Sequence, residues 1–205
     1  MPNTILYIED DPASRSLVER TLRYGGYRVL IADCALDGID MARREMPDLI
    51  LTDINLPDMS GREVTTMLRS DVRFHSTPIV ALTAQTMGEQ RELALAAGLT
   101  GYLTKPIDVE GLLERVEHYL HGAKEILEPQ AFSDAQTRYS QELVVRLEER
   151  IRELENVNQS LNLLDTMKDT FIQLTAHELR TPLTLVYGYS RLIEDNTELQ
   201  ALMQY

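Results

Sequence analysis

The first 122 residues predict a five-stranded, doubly wound parallel sheet of the α/β class, and the remainder predicts a long α-helix. Three observations carry that prediction. Short apolar runs alternate with amphipathic stretches five times over. The apolar runs are continuous rather than alternating, as strands covered on both faces require. Acidic or hydroxyl residues, or a lysine, close four of the five runs, where such a sheet gathers its ligands.

The first strand is Thr4–Ile8 (TILYI). Asp11-Pro12 then opens a helix, with proline tolerated in its first turn and Leu17, Val18 and Leu22 on one face. Tyr24-Gly25-Gly26 ends it, and Tyr27–Ala32 is the second strand. Ala35–Met46 is helical and stops before Pro47. Asp48–Thr52 is a third strand, closed by Asp53; a helix follows from Ser60 to Ser70. Thr77–Leu82 is a strand, Gly88–Ala97 a helix, Gly101–Leu103 a short strand and Val109–His121 a helix. Met41, Met46, Met59 and Met67 read as core filler, and His75, His118 and His121 as surface residues.

The strand ends bring Glu9-Asp10, Asp53, Thr83 and Lys105 to one edge. Clustered carboxylates raise one another's pKa, and a hard divalent cation resolves the conflict. Carboxylate and carbonyl oxygens suit Mg²⁺. A lysine and a threonine hydroxyl suit phosphoryl oxygens. The implied chemistry is attack by a carboxylate on a phosphoryl group, giving an acyl phosphate. A single aspartate after a strand is usually only a turn or cap residue; it is the five polar positions together that point to a site.

These residues, with the string LTDINLPDMSG from Leu51, Thr83-Ala84 and Lys105-Pro106, resemble the receiver domain of two-component response regulators over nearly all of residues 3–121. The resemblance implies a flavodoxin-like fold with Asp53 as phospho-acceptor. It also implies Mg²⁺ held by Asp10 and Asp53, by Glu9 through water and by the Asn55 carbonyl. Thr83 and Lys105 would contact the phosphoryl group, Tyr102 would be the switch aromatic that turns inward when Thr83 moves, and Lys105-Pro106 would be cis. Asn55 and Gln85 would line the route of water to Asp53.

Gly122 and Pro129 mark the exit from this domain, and Ser133 with Gln136 has the pattern of a capping box opening a new helix. Leu147, Ile151, Leu154, Asn158 and Leu161 then recur at spacings of four and three, a coiled-coil seam on which Asn158 fixes register. The competing reading is an amphipathic helix packed back on its own receiver. The next stripe, Leu164, Met167, Phe171 and Leu174, is out of phase with the first, a slip expected to overwind the coil and to relay the state of the receiver. A one-residue insertion or deletion between Leu161 and Leu164 is therefore expected to alter signalling without unfolding either end.

Phe171–Leu185 (FIQLTAHELRTPLTL) places His177 beside Glu178 on an apolar-striped helix, with Pro182 expected to kink it. A neutral imidazole is a nucleophile near pH 7, and a neighbouring carboxylate can hold its ring or take its proton. HELRTPL, with Lys168 and Phe171 upstream, resembles the H-box of sensor histidine kinases. That resemblance implies His177 as a second phospho-acceptor, Glu178 as its acid/base partner and Thr181 as the residue orienting water for dephosphorylation.

The expected organisation is thus a receiver (1–122), a linker and coiled-coil signalling helix (123–165) and the first helix of a dimerisation and histidine-phosphotransfer domain (166–205). The parent protein is expected to be a hybrid histidine kinase whose receiver takes phosphate from an upstream kinase or phosphotransfer protein; transfer between His177 and Asp53 is the rival route. ATP would bind only in a domain beyond this sequence, so this stretch alone is not expected to autophosphorylate. A homodimer through the long helix and a downstream response regulator complete the expected partners. A receiver-controlled dimerisation scaffold without histidine phosphotransfer is the alternative.

The net charge of −13 argues against a broad basic surface for nucleic acid. Cys34 is the single cysteine, so no intrachain disulfide forms. No apolar run approaches the roughly 18 residues of a membrane span, and MPNTILYIEDD is acidic where a signal peptide is basic. The expected location is cytoplasmic.

Overall fold

The computed structural model describes residues 2–83 and 88–202. The chain divides into two units, Met1–Val144 and Val145–Tyr205. In the first, strands β1 (Thr4–Ile8), β2 (Arg28–Ala32), β3 (Leu49–Asp53), β4 (Ile79–Thr83) and β5 (Gly101–Thr104) alternate with helices. These are α1 (Pro12–Tyr24), α2 (Ala35–Glu45), α3 (Gly61–Arg69), α4 (Gly88–Ala96) and α5 (Val109–Leu120). All strand pairs are parallel, in the order β2-β1-β3-β4-β5. The chain turns back at β1, so a crevice opens between the carboxyl ends of β1 and β3.

Two apolar layers cover the sheet. Ile5, Tyr7, Leu49, Leu51, Val80, Leu82 and Leu103 pack with Val18 and Leu22 of α1 and Leu112, Val116 and Tyr119 of α5. The alternate residues Leu6, Ile8, Ile50, Ile79 and Ala81 pack with Ala35 and Ile39 of α2, Val64 and Leu68 of α3 and Ala94 of α4. The central strands β1, β3 and β4 are buried on both faces because their alternate residues meet helices on opposite sides of the sheet.

Boundaries differ from the sequence expectation by one or two residues. α1 buries Thr21 with Val18 and Leu22, whereas Leu17 is exposed. Met46 is not core: it caps α2 in the left-handed region at φ 50° and is largely exposed. Met67 is likewise exposed, while Met41 and Met59 pack against the core. His75, His118 and His121 lie on the surface. A short 3₁₀ turn at Val72–Phe74, absent from the expectation, buries Phe74 completely. Arg69 anchors it by donating to the carbonyls of Phe74 and Thr77.

The helix after the receiver begins earlier than its capping-box pattern suggests. α6 runs Pro129–Leu202, with proline at its start and the Glu128 carbonyl accepting from Phe132 N at 2.9 Å. Ser133 lies inside that helix, where its carbonyl accepts from the Thr137 hydroxyl at 3.1 Å. Residues 129–144 belong to the first unit, and they dock on it. Tyr139 packs against Leu93 and Ala97 with Leu143 alongside, and its hydroxyl lies 2.9 Å from that of Thr66. Arg62 of α3 forms a two-pronged bond to Glu142 at 3.0 and 3.2 Å, and Arg138 pairs with Glu92 of α4 at 2.6 Å. These turns thus pack on their own receiver, whereas Leu147, Ile151, Leu154 and Leu161, the residues to which that competing reading applies, are exposed.

The second unit continues α6, and the helix includes Pro182. From Leu147 to Arg191 every described side chain except Thr175 is exposed. Among the described residues no helix is long and apolar enough to cross a membrane.

Candidate active site

Register assembles the site before any side chain is considered. Ile8 lies opposite Thr52, so the next residues, Glu9 just past β1 and Asp53 at the end of β3, stand side by side. Thr83 lies opposite Thr104, and Lys105 follows, its N–H donating to the Thr83 carbonyl at 2.8 Å. Glu9, Asp53 and Lys105 stand two residues beyond Tyr7, Leu51 and Leu103, which share the α1/α5 face. Strand alternation therefore aims all three at the same side. The Lys105–Pro106 peptide bond is cis, as the resemblance implied.

Lys105 Nζ bridges the two carboxylates, 2.6 Å from Glu9 Oε2 and 2.7 Å from Asp53 Oδ2. Burial by itself lowers a lysine pKa, but the bonds to Asp53 and Glu9 outweigh it and hold Lys105 above the ordinary value. The ammonium is charged at every working pH. Glu9 is only 1 % exposed. A carboxylate so buried needs hydrogen-bond donors, and it has three: Lys105, the Tyr7 hydroxyl at 2.6 Å and the Asp11 N–H at 3.4 Å. Burial, and then the bond to Glu9, push the Tyr7 phenol far above its ordinary pKa, so it remains a donor.

Glu9, Asp10 and Asp53 each offer a carboxylate oxygen, and these lie within 4.8 Å of one another. Asp10 is exposed and Asp53 half-buried, so the cluster opens to solvent. An oxygen-only, strongly anionic set of this size fits a hard divalent cation that keeps part of its water. Asp11 is not a member: it caps α1 by accepting from Ser14 N at 2.7 Å, a bond that also lowers its pKa.

The loop after Asp53 is fixed from both ends. Asn55 N donates to Asp53 Oδ1 at 3.2 Å, and Gly61 N donates to the Ile54 carbonyl at 2.9 Å. A Cβ on Gly61 would collide with the Asp53 carbonyl, so only glycine lets α3 start this close to the strand. Ser60 and Glu63 form a reciprocal capping box on α3. Asp58 reaches away, accepting from Ala35 N and Leu36 N at 2.9 Å each. It supplies the cap that Cys34, at the N-cap of α2, does not make. Burial tends to raise the Asp58 pKa, but those backbone N–H groups outweigh it and lower it.

Thr83 is buried at the end of β4. Tyr102 is half-buried on β5, with the Arg91 guanidinium 5.6 Å from its ring centroid. Glu125, beyond α5, organises this edge. It accepts from Arg91 at 3.1 Å, from Tyr102 N at 3.3 Å and from the Tyr119 hydroxyl at 3.2 Å, and its own N–H donates to the Thr100 carbonyl at 2.9 Å. Burial raises the Tyr119 phenol to about 12, with Glu125 adding to the shift.

The structure thus gathers Glu9, Asp10, Asp53, Asn55, Thr83 and Lys105 around the carboxyl ends of β1, β3, β4 and β5. Ala84, Gln85 and the side chain of Thr181 lie outside the described residues. His177 and Glu178 belong to the second unit, both exposed, with His177 Nδ1 3.6 Å from Glu178 Oε1. Sequence reasoning missed Tyr7, Asp58 and Glu125.

Fold and pocket together define a doubly wound α/β protein with a lysine-bridged acidic pocket at its strand ends. Residues 5–117 match the family model described as the response regulator receiver domain, and the chain belongs to that family. It is 36% identical over 199 residues to hybrid signal transduction histidine kinase D of Dictyostelium discoideum, a match covering 92% of this chain and 13% of that protein. It is 35% identical over 123 residues to the polar-differentiation response regulator DivK of Brucella anthropi, covering 60% of this chain and 100% of DivK. Among solved structures, the receiver domain of the Pseudomonas aeruginosa sensor histidine kinase PA1611, which has a magnesium ion coordinated in its active-site cleft, superposes with a TM-score of 0.56 at 32% identity. That superposition covers 60% of this chain and 100% of the other. Chemotaxis response regulator CheY4 of Vibrio cholerae gives a TM-score of 0.56 at 31% identity, covering 58% of this chain and 98% of that one.

Proposed function

We propose that this chain is the regulatory input of a hybrid histidine kinase, with Asp53 as the phospho-acceptor of its receiver and His177 as the phospho-acceptor of its kinase core. The observation that carries the reading is Lys105, held between Glu9 and Asp53 at hydrogen-bond distance from each. A lysine so placed sits where a phosphoryl group on Asp53 would carry its negative charge. One Asp53 oxygen attacks phosphorus, the bond from phosphorus to the donor's nitrogen or oxygen breaks, and an acyl phosphate results. Glu9, Asp10, Asp53 and the Asn55 carbonyl are the residues that would hold Mg²⁺, which when bound neutralises phosphoryl charge. Lys105 binds one phosphoryl oxygen and the Thr83 hydroxyl another. Tyr102 responds to the displacement of Thr83.

The likeness to the Dictyostelium kinase covers 92% of this chain, more than the receiver and its docked turns supply. That extent supports reading His177 with Glu178 as a phospho-accepting histidine and its acid/base partner, and Thr181 as the residue orienting water for dephosphorylation. The exposed apolar side chains Leu147, Ile151, Leu154 and Leu161 support a parallel homodimer through α6 in the domain order 1–122, 123–165, 166–205. An upstream histidine kinase or phosphotransfer protein supplies Asp53, a downstream response regulator receives from His177, and the assembly works in the cytoplasm. ATP binds in a further domain of the parent protein.

The test is chemical. Incubation with a small acyl-phosphate donor and Mg²⁺ is expected to add one phosphate that hydroxylamine removes, read by intact mass, and Asp53→Asn is expected to add none. Equal labelling of Asp53→Asn removes Asp53 from the reading. In the parent protein supplied with ATP and Mg²⁺, acid-labile phosphate is expected on His177. Its absence there, with the rest of the kinase intact, favours a dimerisation scaffold without phosphotransfer.

A further inference from the structure

Tyr7 has a group that neither the core nor the proposed chemistry uses. Its ring is fully buried in the layer beneath α1 and α5, where phenylalanine would fill the same space. The hydroxyl is the difference, and it donates to Glu9 Oε2 at 2.6 Å. That oxygen also accepts from Lys105 Nζ at 2.6 Å, so it holds two short bonds, while among the described residues Glu9 Oε1 holds only the long one from Asp11 N at 3.4 Å.

We propose that Tyr7 is a positioning residue for the divalent-cation site: its hydroxyl fixes the Glu9 carboxylate through Oε2 and leaves Oε1 with acceptor capacity toward the ion and its water. The inference rests on reading Glu9, Asp10 and Asp53 as that site. Glutamate has one more rotatable bond than aspartate, so its carboxylate needs a second anchor to hold one orientation. Lys105 cannot serve alone, because it is shared with Asp53 and is the group that turns to the phosphoryl oxygens. A hydroxyl inside the sheet, carrying no charge, stays in place through both states. Partners that orient a metal-binding carboxylate typically change metal affinity by about 10- to 100-fold when removed.

Mg²⁺ alone is the probe, titrated calorimetrically into the 205-residue chain, with melting in EDTA as the measure of fold. Tyr7→Phe is expected to weaken Mg²⁺ binding about tenfold while it still melts as a cooperatively folded protein without Mg²⁺. Tyr7→Met, which also lacks the hydroxyl but packs differently, is expected to lose the same factor. In a Glu9→Asp background the shorter carboxylate no longer reaches the phenol, so adding Tyr7→Phe is expected to change nothing further. Wild-type affinity in Tyr7→Phe overturns the proposal. So does an equal loss in both backgrounds, which marks a general packing effect. If the wild-type chain itself takes up no Mg²⁺, the cation-site reading fails, and the positioning role fails with it.

Discussion

The two stretches of α6 differ in what they touch. Residues 129–144 lie on the receiver, with Ala135 and Tyr139 buried and Arg62 reaching out to Glu142. From Leu147 onward the same helix shows Leu, Ile, Val and Phe to solvent. The docked turns use a tyrosine, an alanine and ion pairs; the exposed turns carry the longer aliphatic side chains. A contact with a fixed partner inside one chain can rest on hydrogen bonds of defined geometry. Repeated apolar surface is instead the pattern of a seam between two helices. Burial in the first stretch thus comes from chemistry that the eye passes over in a sequence. Hydrophobicity in the second marks a surface still to be covered.

That comparison can be broken or sharpened by substitution. The largest effect is expected from Tyr139→Ala, which empties a buried aromatic site and removes the bond to Thr66. It should cost about 3 kcal/mol of docking, seen as faster amide exchange across 129–144 with the sheet still protected. Unchanged exchange there would mean the turns are held by something other than Tyr139. Next comes Glu142→Ala. It strands the Arg62 guanidinium, whose side chain is 7% exposed and whose Nε has no hydrogen-bond partner among the described residues, and should cost about 2 kcal/mol. Arg62→Met, of similar volume, should cost less than Glu142→Ala, and the reverse order would show that the pair itself is strongly favourable.

Asp58→Ala lies in the receiver away from both stretches and is a control. Loss of the α2 cap should cost about 1 kcal/mol by denaturant unfolding. Its pH dependence has a definite sign. The folded-state pKa of Asp58 lies below its unfolded value, so its contribution is present above the unfolded carboxylate pKa. It is lost as pH falls through the folded one, so wild type and variant should converge in acid. The smallest effect on the fold belongs to Leu154→Ala on the exposed stretch. Unfolding of the receiver should change by no more than about 0.5 kcal/mol, while light scattering shows weaker self-association. A receiver destabilised by Leu154→Ala would place that side chain in a contact within the chain.

Much of this was legible beforehand, for reasons the residues explain. TILYI, DLILT and the other apolar runs gave all five strands, because a strand buried on both faces has no polar phase to obscure it. Glu9, Asp53, Thr83 and Lys105 were legible as a candidate site because each ends or follows a strand, and parallel strands end on one edge. The docked turns were not. Ala135, Tyr139 and Leu143 recur every four residues, a usable signal, but Pro129 and the capping pattern at Ser133 drew attention to a break. Asp58 and Glu125 were missed because a polar side chain that closes a distant backbone group leaves no period behind it. Tyr7 is one more apolar letter of the strand TILYI, and its hydroxyl matters through a neighbour two residues on.

Glu125 has a consequence beyond its pocket. β5 forms one border of the sheet, and a border strand offers unpaired backbone groups to any passing chain. Here the Thr100 carbonyl and the Tyr102 N–H are already taken, the first by the Glu125 N–H and the second by its carboxylate. The residue that leads out of the receiver therefore also occupies two backbone groups that a second strand would need at this border.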